Sequence, residues 1–385
     1  MTAATKRIAI NVGWGYVPGL NAVITGAVLA ASELGWEAVG IRDGFEGLLF
    51  PDRYPDGGLV KLTPQIVESL AGTTGCIVGT AGQSDPFRVR TINAENQVEE
   101  LDRSDELLGM IKKEKIDAVI SVVGSRALSI LWKLSRKGLR TVCVPKSIEN
   151  DVAATALSFG FNSTLSFVAE MLERTRQAAR SARQIAVVEV LGEHAGWLAL
   201  QAGIAACADA VLIPEIPYDL RKVAAKLREK AKAGRTSGVV VVAEGARPLA
   251  GLDAPASTSD PKMKAALSPG ATGHEGSHVI ERSGQVATEV ALGLQRLTDR
   301  ETFPLVLGRL AKGGMPTVVD RQLGLGYGAS AVLSLQGEQS GVMVVFQPPD
   351  LRFVPMAEAI NKIKTVPVNS EFVQIARALG ISLGD

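Results

Sequence analysis

The chain has 385 residues, 46% apolar and 21% charged, which is ample for two globular domains with a large core. A net charge of +1 argues against nucleic acid or an anionic membrane surface as the partner. Three cysteines, Cys76, Cys143 and Cys207, sit in apolar runs without ligand spacing, and there are only three histidines; this excludes a disulfide scaffold, leaves no structural zinc motif, and fits a reducing cytoplasm.

Strands and helices are expected to alternate, the pattern of a parallel sheet covered on both faces. Arg7–Val12 reads as the first strand, followed by the loop Gly13-Trp14-Gly15-Tyr16-Val17-Pro18-Gly19, a helix over Leu20–Leu34 and a second strand ending at Ile41. Strand, glycine loop, helix is a layout that suits phosphate, because helix N-termini attract anions, although a tight structural turn has the same composition. Gly75–Thr80 reads as an apolar edge running into Ala81-Gly82-Gln83-Ser84. Ser104 is placed as the N-cap of a helix to Glu114, and Ile116–Val123 as a strand delivering Gly124-Ser125-Arg126 to its C-terminal end. A helix over Ala127–Lys137 comes next. The stretch Thr164–Arg183 is a long helix with a polar face of Arg174, Arg176, Arg180 and Arg183, expected to be solvated or intersubunit. Strands follow at Gln184–Leu191, Ala210–Ile213 and Gly238–Ala243, with an amphipathic helix over Asp219–Lys232. Leu249–Ser277, rich in Ala, Ser, Pro and Gly, reads as a mobile loop or insertion. No apolar run reaches the ~18 residues of a membrane span, and no signal-peptide core follows Lys6-Arg7.

The most informative stretch is Val142–Phe161. The apolar run Val142-Cys143-Val144 reads as a buried strand stopped at Pro145. Lys146, Ser147, Glu149, Asn150 and Asp151 follow at once. Polar groups at the C-terminal end of a parallel strand are where open α/β sheets place their chemistry. The set suits phosphoryl transfer: one carboxylate to take the proton of an attacking hydroxyl, another to hold a metal or orient the first, and a lysine to offset phosphate charge. The same residues also serve as ordinary turn and capping material.

PKSIENDV followed by SFGF resembles the PKTIDND and TFGF segments of the phosphofructokinases, and the lysine after the proline resembles the pyrophosphate-dependent and mixed-donor branch. The stretch IAVVEVLGEHAGWLALQAGIAACADAVLIPEIPY is similar to a second block of that family. PGLNAVI, IRDGFEGLL, GTAGQSDPF, IDAVISVVG, VVVAEGAR and VLGRLAKGGMPTVVDRQLGLGYGASAV match in family order over about residues 7–335. The resemblance implies two Rossmann-like α/β lobes with mainly parallel sheets and a cleft between them. Residues 1–160 with 311–345 would form the phosphoryl-donor lobe, and 161–310 with 346–385 the sugar-phosphate lobe. Glu149 would be the base and Asp151 the second acid, with Lys146 and Ser147 beside them. The family also implies a cytoplasmic homo-oligomer, dimer or tetramer, that uses Mg²⁺ with ATP or pyrophosphate on a small-molecule acceptor held in the cleft.

Departures from the family pattern fall on ligand-binding positions. The donor loop GGDxPG is here Trp14-Gly15-Tyr16-Val17-Pro18-Gly19; a GTSR-like arginine is replaced at Gly82 or Gln83; and the metal-associated aspartate of GGDG becomes Ser125, within Gly124-Ser125-Arg126. Ser125 is a poorer Mg²⁺ ligand than a carboxylate, so no metal-ligating residue is assigned. On the acceptor side, two family arginines become Gln184 and Phe303. Met-Gly-Arg becomes Leu191-Gly192-Glu193, a histidine becomes Arg309, and an arginine becomes Lys312. Glu244 keeps its type. Each lost arginine–phosphate contact costs ~2–3 kcal/mol. The expectation is therefore a protein of sugar-phosphate phosphotransferase ancestry with standard 6-phosphofructokinase activity lost or severely impaired. Its ligand would be changed, or its role would be regulatory or structural, including assembly with an active paralogue. The alternative is an active ATP- or pyrophosphate-dependent transferase with Glu149 as base on a different acceptor, or on fructose 6-phosphate itself.

Overall fold

The computed structural model describes residues 6–82, 85–92, 97–250 and 284–385; Gln83 and nearly all of the Leu249–Ser277 segment lie outside them. The strands are β1 (Arg7–Val12), β2 (Glu37–Ile41), β3 (Leu59–Leu62), β4 (Val89–Ile92), β5 (Val98–Leu101), β6 (Ala118–Val123), β7 (Thr141–Ser147), β8 (Phe159–Gly160), β9 (Ile185–Val190), β10 (Ala210–Leu212), β11 (Gly238–Ala243), β12 (Thr302–Val306), β13 (Val342–Gln347) and β14 (Asp350–Pro355). The chain forms two compact units, residues 1–163 with 312–364, and 164–311 with 365–385.

In the first unit a sheet runs β14-β13-β7-β6-β1-β2-β3, with β8 added to the end of β7. The interior strands β7, β6, β1 and β2 are parallel, while β3 and β14 are antiparallel edges. All six residues of β6 and all seven of β7 are buried, which is why β6 and the first part of β7 are mostly apolar at successive positions rather than alternating. Because β1, β6 and β7 are parallel neighbours, the loops that follow them share one edge of the sheet. The Leu20–Glu33 helix packs along the Val318–Gln336 helix through glycines. A Cβ on Gly26 would lie 2.1 Å from the Leu325 carbonyl oxygen, and one on Gly328 2.0 Å from that of Val23. Mid-helix glycine costs about 1 kcal/mol against alanine; close backbone approach is what it makes possible here.

The second unit carries a parallel sheet in the order β10-β11-β9-β12. β9, β10 and β11 are almost wholly Val, Ala and Ile and are buried, while the edge strand β12 is only partly covered. Val223 and Leu227 of the Leu220–Lys232 helix and Val290 and Leu294 of the Gln285–Thr298 helix pack with Val187, Leu212 and Val240 in one core. Asp219 caps the first of these helices by accepting from the Arg221 N–H.

Several local expectations are corrected. Pro145 does not stop β7, which continues to Ser147. One side of β7 pairs β13 through Cys143 and β8 from Lys146, so Pro145 falls in a break of that ladder where a missing N–H is tolerated. Ser104 is not a cap: it is the first helical residue, and Asp102 accepts from its N–H. Gly75–Thr80 forms turns rather than an extended edge; its Ile77 is gripped by Asn21 and Arg42. The helix after β6 begins at Ser125, two residues early. Residues 346–364 belong to the first unit, because β14 pairs along the whole of β13.

Candidate active site

Three loops meet at the C-terminal edge of the first unit's sheet: Gly13–Gly19 after β1, Gly124-Ser125 after β6, and Ile148–Ser158 after β7. The last of these carries Glu149 and Asp151. Its backbone is one the local sequence would not choose, with Asn150 at φ 55° and Ala154 at φ 67°; left-handed alanine is costly. Tertiary bonds hold it. Asn150 Oδ1 accepts from the Ser158 N–H at 3.1 Å. Thr155 Oγ1 accepts from the Phe346 N–H at 2.9 Å, and the Ala156 N–H donates to the Phe346 carbonyl. The fully buried Tyr327 hydroxyl donates to the Leu157 carbonyl at 2.7 Å.

Within this frame the Asp151 carboxylate accepts from Ser147 Oγ at 2.5 Å and from Ser125 Oγ at 3.1 Å. The Glu149 N–H donates to Ser147 Oγ at 3.1 Å, and Glu149 is half-buried. The serine at the family's metal-aspartate position therefore binds the neighbouring aspartate. Arg126, one residue on, is exposed.

Lys146 is 4% exposed. Its ammonium donates to the Gly13 carbonyl at 2.5 Å and to the Gly15 carbonyl. Burial lowers its pKa to about 7, and the Lys312 charge pushes the same way, against an opposing effect of Cys76. The half-buried Tyr16 accepts from the Gly75 N–H at 3.2 Å and donates to the Gly314 carbonyl at 3.3 Å, tying the glycine loop to two others. Burial raises the Tyr16 pKa. Trp14 projects outward, 55% exposed. Gly82 sits against Asp43, whose carbonyl oxygen a Cβ would approach to 1.8 Å, and Asp43 Oδ1 accepts from the Ala81 N–H.

The residues of the second unit that the sequence assigns to the acceptor side fall into two groups. Gln184 and Phe303 lie at the N-terminal end of β9 and on the adjoining β12, and Gln184 Nε2 donates to Glu301 at 2.9 Å. Leu191, Gly192 and Glu193 follow the C-terminal end of β9, where Glu244 Oε1 accepts from the Gly192 N–H at 3.3 Å. The six residues of β9 separate the groups by ~20 Å at ~3.3 Å per residue. Glu193 is exposed beside His194, and Arg309 is exposed in the Gly308–Lys312 turn.

Sequence reasoning missed Lys364, which reaches the acid-bearing loop and whose pKa burial lowers to about 8. Nothing in Asn361-Lys362-Ile363-Lys364 marks it as functional; only the fold brings it there. Among the described residues, no group of three or more His, Cys, Asp or Glu is arranged to hold a metal ion, and no helix is long and apolar enough to cross a membrane.

The phosphofructokinase family model matches residues 7–335. The ATP-dependent 6-phosphofructokinase of Chloroflexus aurantiacus is 36% identical over 388 residues, covering 100% of this chain and 99% of that protein. ATP-dependent 6-phosphofructokinase 2 of Clostridium perfringens is 33% identical over the whole of both chains. Among solved structures, the pyrophosphate-dependent phosphofructokinase of Marinobacter aquaeolei superposes with a TM-score of 0.72 at 18% identity, over 98% of this chain and 92% of that one. The phosphofructokinase of Saccharomyces cerevisiae gives 0.72 at 24% identity, over 99% of this chain and 48% of that one. With the family model matched over residues 7–335 and full-length relatives 33% and 36% identical, the chain belongs to the phosphofructokinase family and is a phosphotransferase by descent.

Proposed function

We propose that this protein is a working phosphotransferase in which Glu149 takes the proton of an acceptor hydroxyl, and in which ordinary fructose 6-phosphate phosphorylation is severely impaired in favour of a different acceptor. The observation that carries the reading is the acid-bearing loop. Glu149 and Asp151 sit on a backbone fixed from several sides, and a base held within a fraction of an ångström is what proton abstraction requires. The changed acceptor is supported by Gln184 and Phe303, which offer a phosphate monoester no charge-assisted bond. The donor is a phosphoric anhydride, ATP or pyrophosphate, by analogy with the relatives. Mg²⁺ is held through one or two carboxylates together with donor phosphates and water; Asp151 with the Ser125 and Ser147 hydroxyls meets that minimal requirement. When bound, the metal would offset phosphate charge. Lys146 and Lys312 add positive charge on the same edge. A cytoplasmic homo-oligomer is part of the proposal: one copy's β9 keeps its two acceptor groups ~20 Å apart, so a sugar phosphate touching both kinds of residue needs two copies.

The test is turnover of ATP and of pyrophosphate against a panel of hydroxylated acceptors, with Glu149→Gln as control. The expected result is transfer to an acceptor other than fructose 6-phosphate, abolished by the substitution. Transfer that survives Glu149→Gln, or fast phosphorylation of fructose 6-phosphate, defeats the reading. A second reading is a protein that no longer takes the donor. It is favoured by Lys146, whose ammonium occupies the Gly13 and Gly15 carbonyls, so that the loop presents oxygens to a cation rather than N–H groups to a phosphate. Calorimetry with MgATP and Mg-pyrophosphate separates the two: low-micromolar binding of either excludes the second.

A further inference from the structure

Three oxygens converge on the Lys364 ammonium: Asn150 Oδ1 at 2.8 Å, the Thr155 carbonyl at 2.8 Å and the Ala156 carbonyl at 3.0 Å. An ammonium has three N–H donors and no acceptor, and all three oxygens lie within hydrogen-bond distance of it. Carbonyl-type oxygens repel one another when they face a common point, and a shared cation offsets that repulsion; the Asn150 amide adds a longer bond of its own to the Ala156 carbonyl at 3.4 Å. The two ends of the loop meet at this point, since Asn150 lies between Glu149 and Asp151 while Thr155 and Ala156 lie on the return limb. The same segment is sewn down beside it: the Lys364 N–H donates to the Asp151 carbonyl at 2.8 Å, and Val152 bridges Ile363. The left-handed Asn150 and Ala154 fall between these ties, so the loop's shape is imposed by its partners.

We infer that Lys364 is a positioning residue for the transfer reaction, a built-in cation that draws Asn150, Thr155 and Ala156 together and thereby fixes where Glu149 and Asp151 point. The role rests on the reading that these two acids carry the chemistry. Arginine does not replace it: a planar fork of donors does not cap three converging oxygens as a tetrahedral ammonium does.

The experiment compares wild type, Lys364→Ala and Lys364→Arg in full-length protein, with methylammonium chloride as the added probe and choline chloride as the ionic-strength control. Lys364→Ala should lose kcat by ~10²-fold, the cost of a base displaced by about 1 Å, with KM for the donor little changed. Methylammonium should restore part of the rate and choline none. Amide hydrogen exchange at residues 150–158 should quicken in the variant and slow again with methylammonium, while the Leu20–Glu33 helix is unaffected. A wild-type kcat in Lys364→Ala, or faster exchange that methylammonium leaves unaltered, overturns the inference. If wild type transfers phosphate to nothing, the reading of Glu149 has failed, and the exchange arm still decides on Lys364. Should Lys364→Ala not fold, Lys364→Arg carries the test: quickened exchange confined to 150–158 supports the role, and wild-type exchange overturns it.

Discussion

The glycine loop Gly13–Gly19 and the acid-bearing loop Ile148–Ser158 leave the same edge of one sheet, with β6 between the strands that deliver them, yet they are held by opposite means. The acid-bearing loop is over-determined. Phe346, Tyr327, Lys364 and its own Asn150 and Thr155 each fix part of it, mostly through buried groups. The glycine loop has backbone ties from Gly13 to the Val122 carbonyl and from Gly15 to the Thr80 carbonyl, and its side-chain ties come from Lys146 and Tyr16, which stand at proposed ligand-binding positions. A loop stabilised by its own structural partners keeps its shape whether or not a ligand is present. One held by residues a ligand would contact changes when those residues are drawn away. With Glu149 as the proposed base and the glycine loop as the proposed donor side, the contrast would place rigidity with the first and responsiveness with the second.

Substitutions that break the contrast can be ranked. Glu149→Asp, which withdraws the carboxylate by one methylene, should lower kcat on the true acceptor by ~10²-fold with the unfolding midpoint unchanged; a gain in rate would mean that the longer side chain is damage rather than fit. Tyr327→Phe removes the buried hydroxyl from the Leu157 carbonyl and Thr155 and should cost ~1–3 kcal/mol in denaturant unfolding, with kcat falling as well. Tyr16→Phe should cost only ~1 kcal/mol, since its partners are partly solvated. It should leave kcat little changed while altering donor affinity; equal losses in kcat and stability would erase the distinction between the loops.

Lys146→Met tests the sign of an electrostatic effect. The folded-state pKa of Lys146 is lowered to about 7 from an ordinary value near ~10.4. Between those values the unfolded chain binds the proton that the folded chain does not, so stability rises with pH. Wild type should therefore gain on Lys146→Met in thermal unfolding as pH climbs from about 7 towards 10. Parallel curves would mean that the Gly13 and Gly15 carbonyls compensate the buried charge in full.

Much of this was legible beforehand. β1, β6, β9 and β11 are mostly apolar runs closed by glycine or acidic loops, because strands buried on both faces show little alternation. The polar run Lys146–Asp151 stands out as candidate chemistry because it directly follows the apolar Val142-Cys143-Val144, although the strand itself continues to Ser147. What stayed hidden depends on distant neighbours. Pro145 could continue a strand only because its ladder is broken at that point, a fact set by β8 and β13. Lys364 reaches Asn150 across 214 positions of sequence.

The first unit is discontinuous: residues 1–163 are completed by 312–364. The Val318–Gln336 helix fits against the Leu20–Glu33 helix with no room for a side chain at the contact, and β13 pairs β7. On the ribosome, the first 163 residues must therefore wait for about 150 more, which at ~5–20 residues per second is on the order of ten seconds or more. During that interval the four strands of the other sheet, contiguous between Ile185 and Val306, are already available to pair. The apolar face of the early helix is exposed throughout the wait, so the nascent chain has its greatest need of a chaperone before residue 336 emerges.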